Sequence, residues 1–113
     1  MPARKKAELL QGTLDMLILK ALARGPQHGY SVARWIQSTT DNALTVEEGS
    51  LYPALHRMHR RGWLEAEWGL SENNRRARYY RLSIDGEKAL RTQVKDWGRM
   101  VQVIARFLEG VPA

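Results

Sequence analysis

Apolar positions recur along the chain with a helical period in some stretches and with alternation in others, and the switches between the two predict the elements. From about Glu8 to Arg24, residues Leu10, Leu14, Leu17, Ile18, Ala21 and Leu22 fall at helical spacing. Gly25-Pro26 ends that run, because neither residue continues a helix well. A shorter helical pattern carries Tyr30, Val32, Ala33 and Ile36 and dies in the polar loop Ser38–Asn42. A third helix is expected to start near Val46, where Thr45 and Glu48 have capping-box spacing. At about 100° per residue, Leu51, Leu55 and Met58 form its inward stripe. The opposite face carries Gly49, Pro53, His56, Arg57 and Arg60, with Ser50 and Tyr52 on its flanks, and Gly62 stops the helix. Pro53 conflicts with a helix interior, since its ring removes a backbone hydrogen bond. Either the helix begins nearer Gly49 or it bends at the proline.

Two short runs, Trp63–Trp68 and Ala77–Leu82, alternate and are rich in Trp, Leu and Tyr, as strands are. The connection Gly69–Arg76 is polar and turn-rich, and reads as a flexible hairpin tip. Asp85 to Leu108 reads as one helix of about 24 residues, roughly 36 Å long. The expected fold is therefore mainly α with a small β-hairpin: a winged helix-turn-helix plus a long C-terminal dimerisation helix. Residues 1–9 form a basic tail and the start of the first helix, 10–83 the winged head and 84–113 the dimerisation helix.

The last helix is longer than so small a core needs. Leu90, Val94, Trp97, Val101, Ile104 and Leu108 alternate at spacings of four and three, the seam by which a helix packs on a partner helix. Met100, Val103 and Phe107 widen the stripe. An exposed apolar surface of this kind is a liability for a monomer. A homodimer is the expected solution, with the first helix and Leu9-Leu10 as further contacts.

Charge narrows the function. The net charge is +6 and cysteine is absent, which excludes disulfides and thiolate metal sites. Between Ser50 and Arg81 lie seven arginines against three glutamates, so most of the positive excess sits on the third helix and the hairpin. The basic N-terminus lacks an apolar signal core, and no run approaches the roughly 18 apolar residues of a membrane span. A soluble cytoplasmic protein that does not enter a membrane is expected.

A recognition helix presents polar side chains at its N-terminal end, where the major groove exposes base edges. Ser50, Tyr52, His56 and Arg57 meet that need, and Gly49 allows close approach to double-stranded DNA. Tyr30, at the start of the second helix, is expected to touch phosphate. Arg75, Arg76 and Arg78 lie at the hairpin tip, where long cations can follow the backbone or enter the minor groove. Glu72 is the sole acid between Trp68 and Arg81. Arg4, Lys5 and Lys6 either add nonspecific attraction or form a plain disordered soluble tail. Two such heads about one turn of DNA apart would read a pseudo-palindrome.

Enzyme chemistry finds little support: there is no phosphate-binding glycine loop, no G-x-S-x-G and no H-E-x-x-H. His56 and His59 are three apart, but no third ligand accompanies them at a useful spacing. No metal or cofactor is expected. The alternative is a winged-helix protein–protein interaction module without sequence-specific DNA binding, a use that normally lacks basic character on the third helix and wing.

The segments GTLDMLILKAL (Gly12–Leu22), GPQHGYSVARWI (Gly25–Ile36), EGSLYPALHRM (Glu48–Met58), RGWLEAEW (Arg61–Trp68) and RARYYRLSIDG (Arg76–Gly86) together resemble the PadR family of bacterial transcriptional regulators. The likeness runs from Leu10 to Leu108, and the single terminal helix is similar to the family's shorter branch. The resemblance implies a homodimeric winged-helix repressor, in many cases released by a small molecule. Members that sense flat aromatic drugs hold them at the dimer interface, which makes Trp97, mid-seam, a candidate lining of an effector pocket, with plain interface packing as the alternative.

Overall fold

In a computed structural model that describes residues 11–110, three apolar helix stripes meet over a small sheet. The elements are α1 (Gln11–Leu22), β1 (Gln27–His28), α2 (Gly29–Thr39), α3 (Glu48–Arg60), β2 (Leu64–Leu70), β3 (Arg76–Leu82) and α4 (Ile84–Gly110). Ile18 and Leu22 of α1, Val32 and Ile36 of α2, and Leu51, Leu55 and Met58 of α3 are buried together with Leu64 and Tyr80. Burying each such aliphatic side chain stabilises by roughly 1.5–3 kcal/mol, which locks the angle of α3 against α1 and α2. Arg4, Lys5, Lys6 and Leu9-Leu10 lie outside the described residues.

The helix α3 starts at Glu48, beside Gly49, the later of the two starts the sequence leaves open. Its N-cap is Glu47, in extended conformation, whose carbonyl accepts from Ser50 and Leu51 at 3.0 and 2.9 Å. The Glu47 side chain makes no capping bond, and the expected Thr45–Glu48 box does not form. Leu44 and Val46 pack against the core from the segment before the helix, and this keeps that segment out of the helix. Pro53 therefore stays inside α3, and the bond it cannot donate falls on exposed Gly49, where water reaches the carbonyl.

The sheet has the order β1-β3-β2 and is antiparallel throughout. The two-residue β1, which periodicity does not reveal, pairs Gln27 with Tyr80 and His28 with Tyr79. It ties the start of α2 directly to the hairpin. The hairpin strands are longer than predicted, and the turn between them is ordered rather than loose. Ser71 N donates to Arg75 O at 2.8 Å, Asn74 N to Ser71 O at 2.9 Å, and Arg75 N to Ser71 Oγ at 3.3 Å. Asn74 takes the left-handed conformation (φ 57°) that asparagine tolerates better than most residues. The Tyr79 hydroxyl donates to Leu70 O at 2.8 Å and further braces the tip.

Ser83 caps α4, its Oγ accepting from Gly86 N at 3.0 Å. Gly86 is buried directly against the backbone carbonyl of Trp63, which fixes where the helix leaves the head. Ala89 and Leu90 pack on the core, whereas residues from Val94 onward are exposed. Leu90, expected in the dimer seam, thus serves its own subunit first. The radius of gyration is 16.2 Å, against about 13 Å for a globule of this length. The overhang of α4, a helix of 27 residues and roughly 40 Å, accounts for the excess.

Candidate nucleic-acid interface

The exposed side of α3 carries Gly49, Ser50, Tyr52 and His56, as its periodicity predicts. Arg57 does not join them. Its guanidinium turns toward α1, and Nη2 donates to the Asp15 carboxylate at 2.8 Å, with the two side chains 26% and 5% exposed. Arg57, expected to engage guanine or phosphate, is instead partly buried and committed through Nη2 to Asp15, a link between α3 and α1. Burial pushes the Asp15 carboxyl above its ordinary value, opposed by the charge and hydrogen bond of Arg57 and by the charge of Arg61.

Local geometry brings the start of α2 up to α3. His28 caps α2 by accepting from Ser31 N at 3.2 Å, and its ring lies 6.4 Å from that of Tyr30, nearly parallel to it. At Gly29 a Cβ would approach the Tyr52 ring to 2.9 Å, so only glycine permits this contact of the two helices. Tyr30 is 59% exposed beside it. Burial, then the Glu48 carboxylate and Tyr80, push the Tyr52 hydroxyl above its usual range. It is a neutral donor at any physiological pH.

The hairpin has two chemically different sides. Residues directly opposite in register share a face: Trp68 with Arg78, and Leu70 with Arg76. That face turns toward α2 and is cationic and aromatic. The Arg76 guanidinium lies 4.4 Å from the Trp68 ring centroid, and that of Arg78 lies 5.9 Å from both Trp68 and Tyr80. The other face holds Glu65 and Glu67, with Arg81 Nε bound to Glu65 at 2.8 Å. Positive charge is thereby sorted to one side of the wing.

Between that side and α2 runs an open groove of about 760 Å³. Tyr30, Tyr52, Arg75, Arg76 and Arg78, all singled out in the sequence, line it, whereas Gly49, Ser50 and His56 lie on α3 outside it. The groove also contains Arg34 and Trp68, which sequence reasoning passed over. Arg34 was detectable, because it stands four residues after Tyr30 and so shares its helix face. Its guanidinium lies 5.7 Å from the Tyr30 ring. Nothing along the sequence marked Trp68, whose role depends on hairpin register.

On α4, Val94, Trp97, Val101, Ile104 and Leu108 are between 45% and 69% exposed, and Met100, Val103 and Phe107 are exposed with them. Among the described residues no group of three or more His, Asp or Glu is placed to hold a metal ion, and no helix is long and apolar enough to cross a membrane.

Comparison with known proteins agrees with this architecture. The model of the transcriptional regulator PadR-like family matches residues 18–92. A transcriptional regulator from Clostridium thermocellum is 30% identical, with a TM-score of 0.79 over 86% of this chain and 94% of its own. A PadR family transcriptional regulator from Eggerthella lenta is 31% identical, with a TM-score of 0.74 over 88% and 84%. A PadR-like transcriptional regulator from Bacillus cereus is 25% identical, with a TM-score of 0.76 over 93% and 100%.

Proposed function

Because the chain belongs to the PadR-like family of transcriptional regulators, we propose that it is a cytoplasmic, homodimeric repressor that binds a pseudo-palindromic operator. In this reading residues 10–83 are the DNA-binding head, and the region from 84 onward is the dimerisation helix. It has no catalytic role. The observation that carries the reading is the sorting of charge. Arg34, Arg75, Arg76 and Arg78 line one groove with Tyr30 and Tyr52, where Glu72 is the single acid among the lining residues, while Glu65 and Glu67 face away. A strand of duplex laid along that groove meets cations from both walls, and the exposed side of α3 enters the major groove with Ser50, Tyr52 and His56.

Dimerisation rests on the exposed apolar length of α4 beyond Leu90. Pairing two α4 helices would bury that stripe, and reading a pseudo-palindrome requires the two heads about 34–36 Å apart, one turn of DNA. Trp97, half exposed at the middle of the stripe, would line a pocket for a small aromatic effector that releases the operator.

The test is affinity for duplex from the protein's own promoter against random duplex, at two salt concentrations. The expected result is a promoter preference and a steep salt dependence. In R75A/R76A, affinity for every duplex falls and the log–log salt slope flattens by about two. Equal affinity for both sequences would leave only a charge-driven binder, and no duplex binding at low salt would leave a protein-contact module.

A further inference from the structure

Four arginines of the hairpin and of α3 fall into two classes by what their guanidinium planes meet. Arg57 and Arg81 spend in-plane N–H groups on the carboxylates of Asp15 and Glu65. Arg76 and Arg78 instead approach Trp68, at 4.4 and 5.9 Å from its centroid. A guanidinium held over an aromatic face is restrained by its π surface and keeps its in-plane donors for another acceptor. Trp68 itself is 57% exposed on a groove wall, where a large apolar ring gains little from burial in its own fold.

We infer that Trp68 is the positioning residue of the wing, a platform that holds Arg76 and Arg78 with their donors turned to a phosphate backbone. The inference rests on the DNA-binding reading above and deepens it. Free arginine side chains lose rotamer freedom when they grip a ligand, which weakens binding. Trp68 restrains both side chains before DNA arrives. The hydrogen-bonded turn Ser71–Arg75 does the same for the backbone that carries them. The side chain of Tyr79 belongs to the opposite face of β3, where it braces the tip through Leu70 O. The wing is thus rigid at its base, its tip and its cationic side.

The experiment is a double-mutant cycle on affinity for the promoter duplex, measured by fluorescence anisotropy at two salt concentrations. The expected loss for W68A is about tenfold, from two arginines left less ordered before they bind. W68F, which keeps a π face, should restore most of the affinity. W68L, which keeps apolar bulk alone, should behave as W68A. In an R76A/R78A background, W68A should cost less than twofold, because the platform then has nothing to hold. Additive losses would overturn the inference and make Trp68 an independent DNA contact, and equal affinity of W68L and W68F would overturn it too. Thermal melts of each variant separate these outcomes from misfolding. Failure of the wild type to bind any duplex would instead sink the DNA-binding reading itself.

Discussion

Replacing Arg57 with methionine keeps an aliphatic stem of similar reach and removes only the guanidinium that Asp15 accepts from. Asp15 is 5% exposed, so its carboxylate has no comparable access to water. Left ionised and unpaired in the folded state, it would be strongly destabilising, and it escapes by taking a proton. That escape sets a ceiling. Protonating at pH 7 a carboxyl whose ordinary value is 3.8 costs about 4 kcal/mol, at about 1.4 kcal/mol per pH unit. Some of this is offset, since the substitution also removes Arg57 Nε, which is buried without a hydrogen-bond partner. The expected loss in R57M is therefore about 3 kcal/mol at pH 7. Its pH dependence follows from the direction of the shift. With the partner gone, the folded-state value of Asp15 is raised far above the unfolded one. Stability is then retained at low pH and lost as pH rises through the window between the two values. The difference between wild type and R57M should shrink on acidification by up to about 1.4 kcal/mol per unit and become small at the wild type's own raised Asp15 value, below which both proteins carry the carboxyl protonated. Urea denaturation from pH 5 to 7.5 measures it. A difference that does not change with pH, or one under 1 kcal/mol at pH 7, would refute the buried-pair account. DNA binding gives an independent check, because a guanidinium committed to Asp15 releases no counterion, and the salt slope of R57M should match wild type.

Two further outcomes test the frame that holds the site. In V101E, a carboxylate in the middle of each α4 stripe should weaken self-association at least a hundredfold, about 3 kcal/mol, seen as monomer in sedimentation at micromolar concentration; a wild type already monomeric there would end the dimer proposal. In G86A the new methyl would overlap the Trp63 carbonyl, backbone against backbone, so an overpacking cost of about 1–3 kcal/mol or more should exceed the gain of up to about 1 kcal/mol from helix propensity. A melting temperature several degrees lower is expected, and an unchanged or higher one would contradict the close approach.

Features that repeat along the chain were legible in it, and features that depend on one distant neighbour were not. The inward stripe Leu51, Leu55 and Met58, the hairpin and the long α4 all announce themselves by period, because each buries one side of a regular element. Two starts of α3 were legible, near Val46 from the Thr45–Glu48 spacing and nearer Gly49 from Pro53, and the packing of Leu44 and Val46 against the core decides for the second. Arg57 reads as part of the outward face of its helix, and Asp15, 42 residues earlier, turns it toward α1 instead. Trp68 read as an ordinary strand residue because its arginine neighbours are set by cross-strand register, which adjacent sequence does not encode. The polar connection looked loose for a similar reason: composition marks a turn but says nothing of the Ser71–Arg75 bonds that tighten it.

The two-residue strand β1 has a mechanical consequence. Since His28 pairs with Tyr79, the helix bearing Tyr30 and the hairpin bearing Arg76 and Arg78 are bolted to neighbouring strands of one plate. The jaws of the groove cannot widen without shearing that ladder, so the head behaves as a fixed bracket rather than a pair of pliers. Any accommodation to a longer or shorter target must come from the stalk, beyond Gln93, where α4 runs on exposed past the described residues of its own subunit.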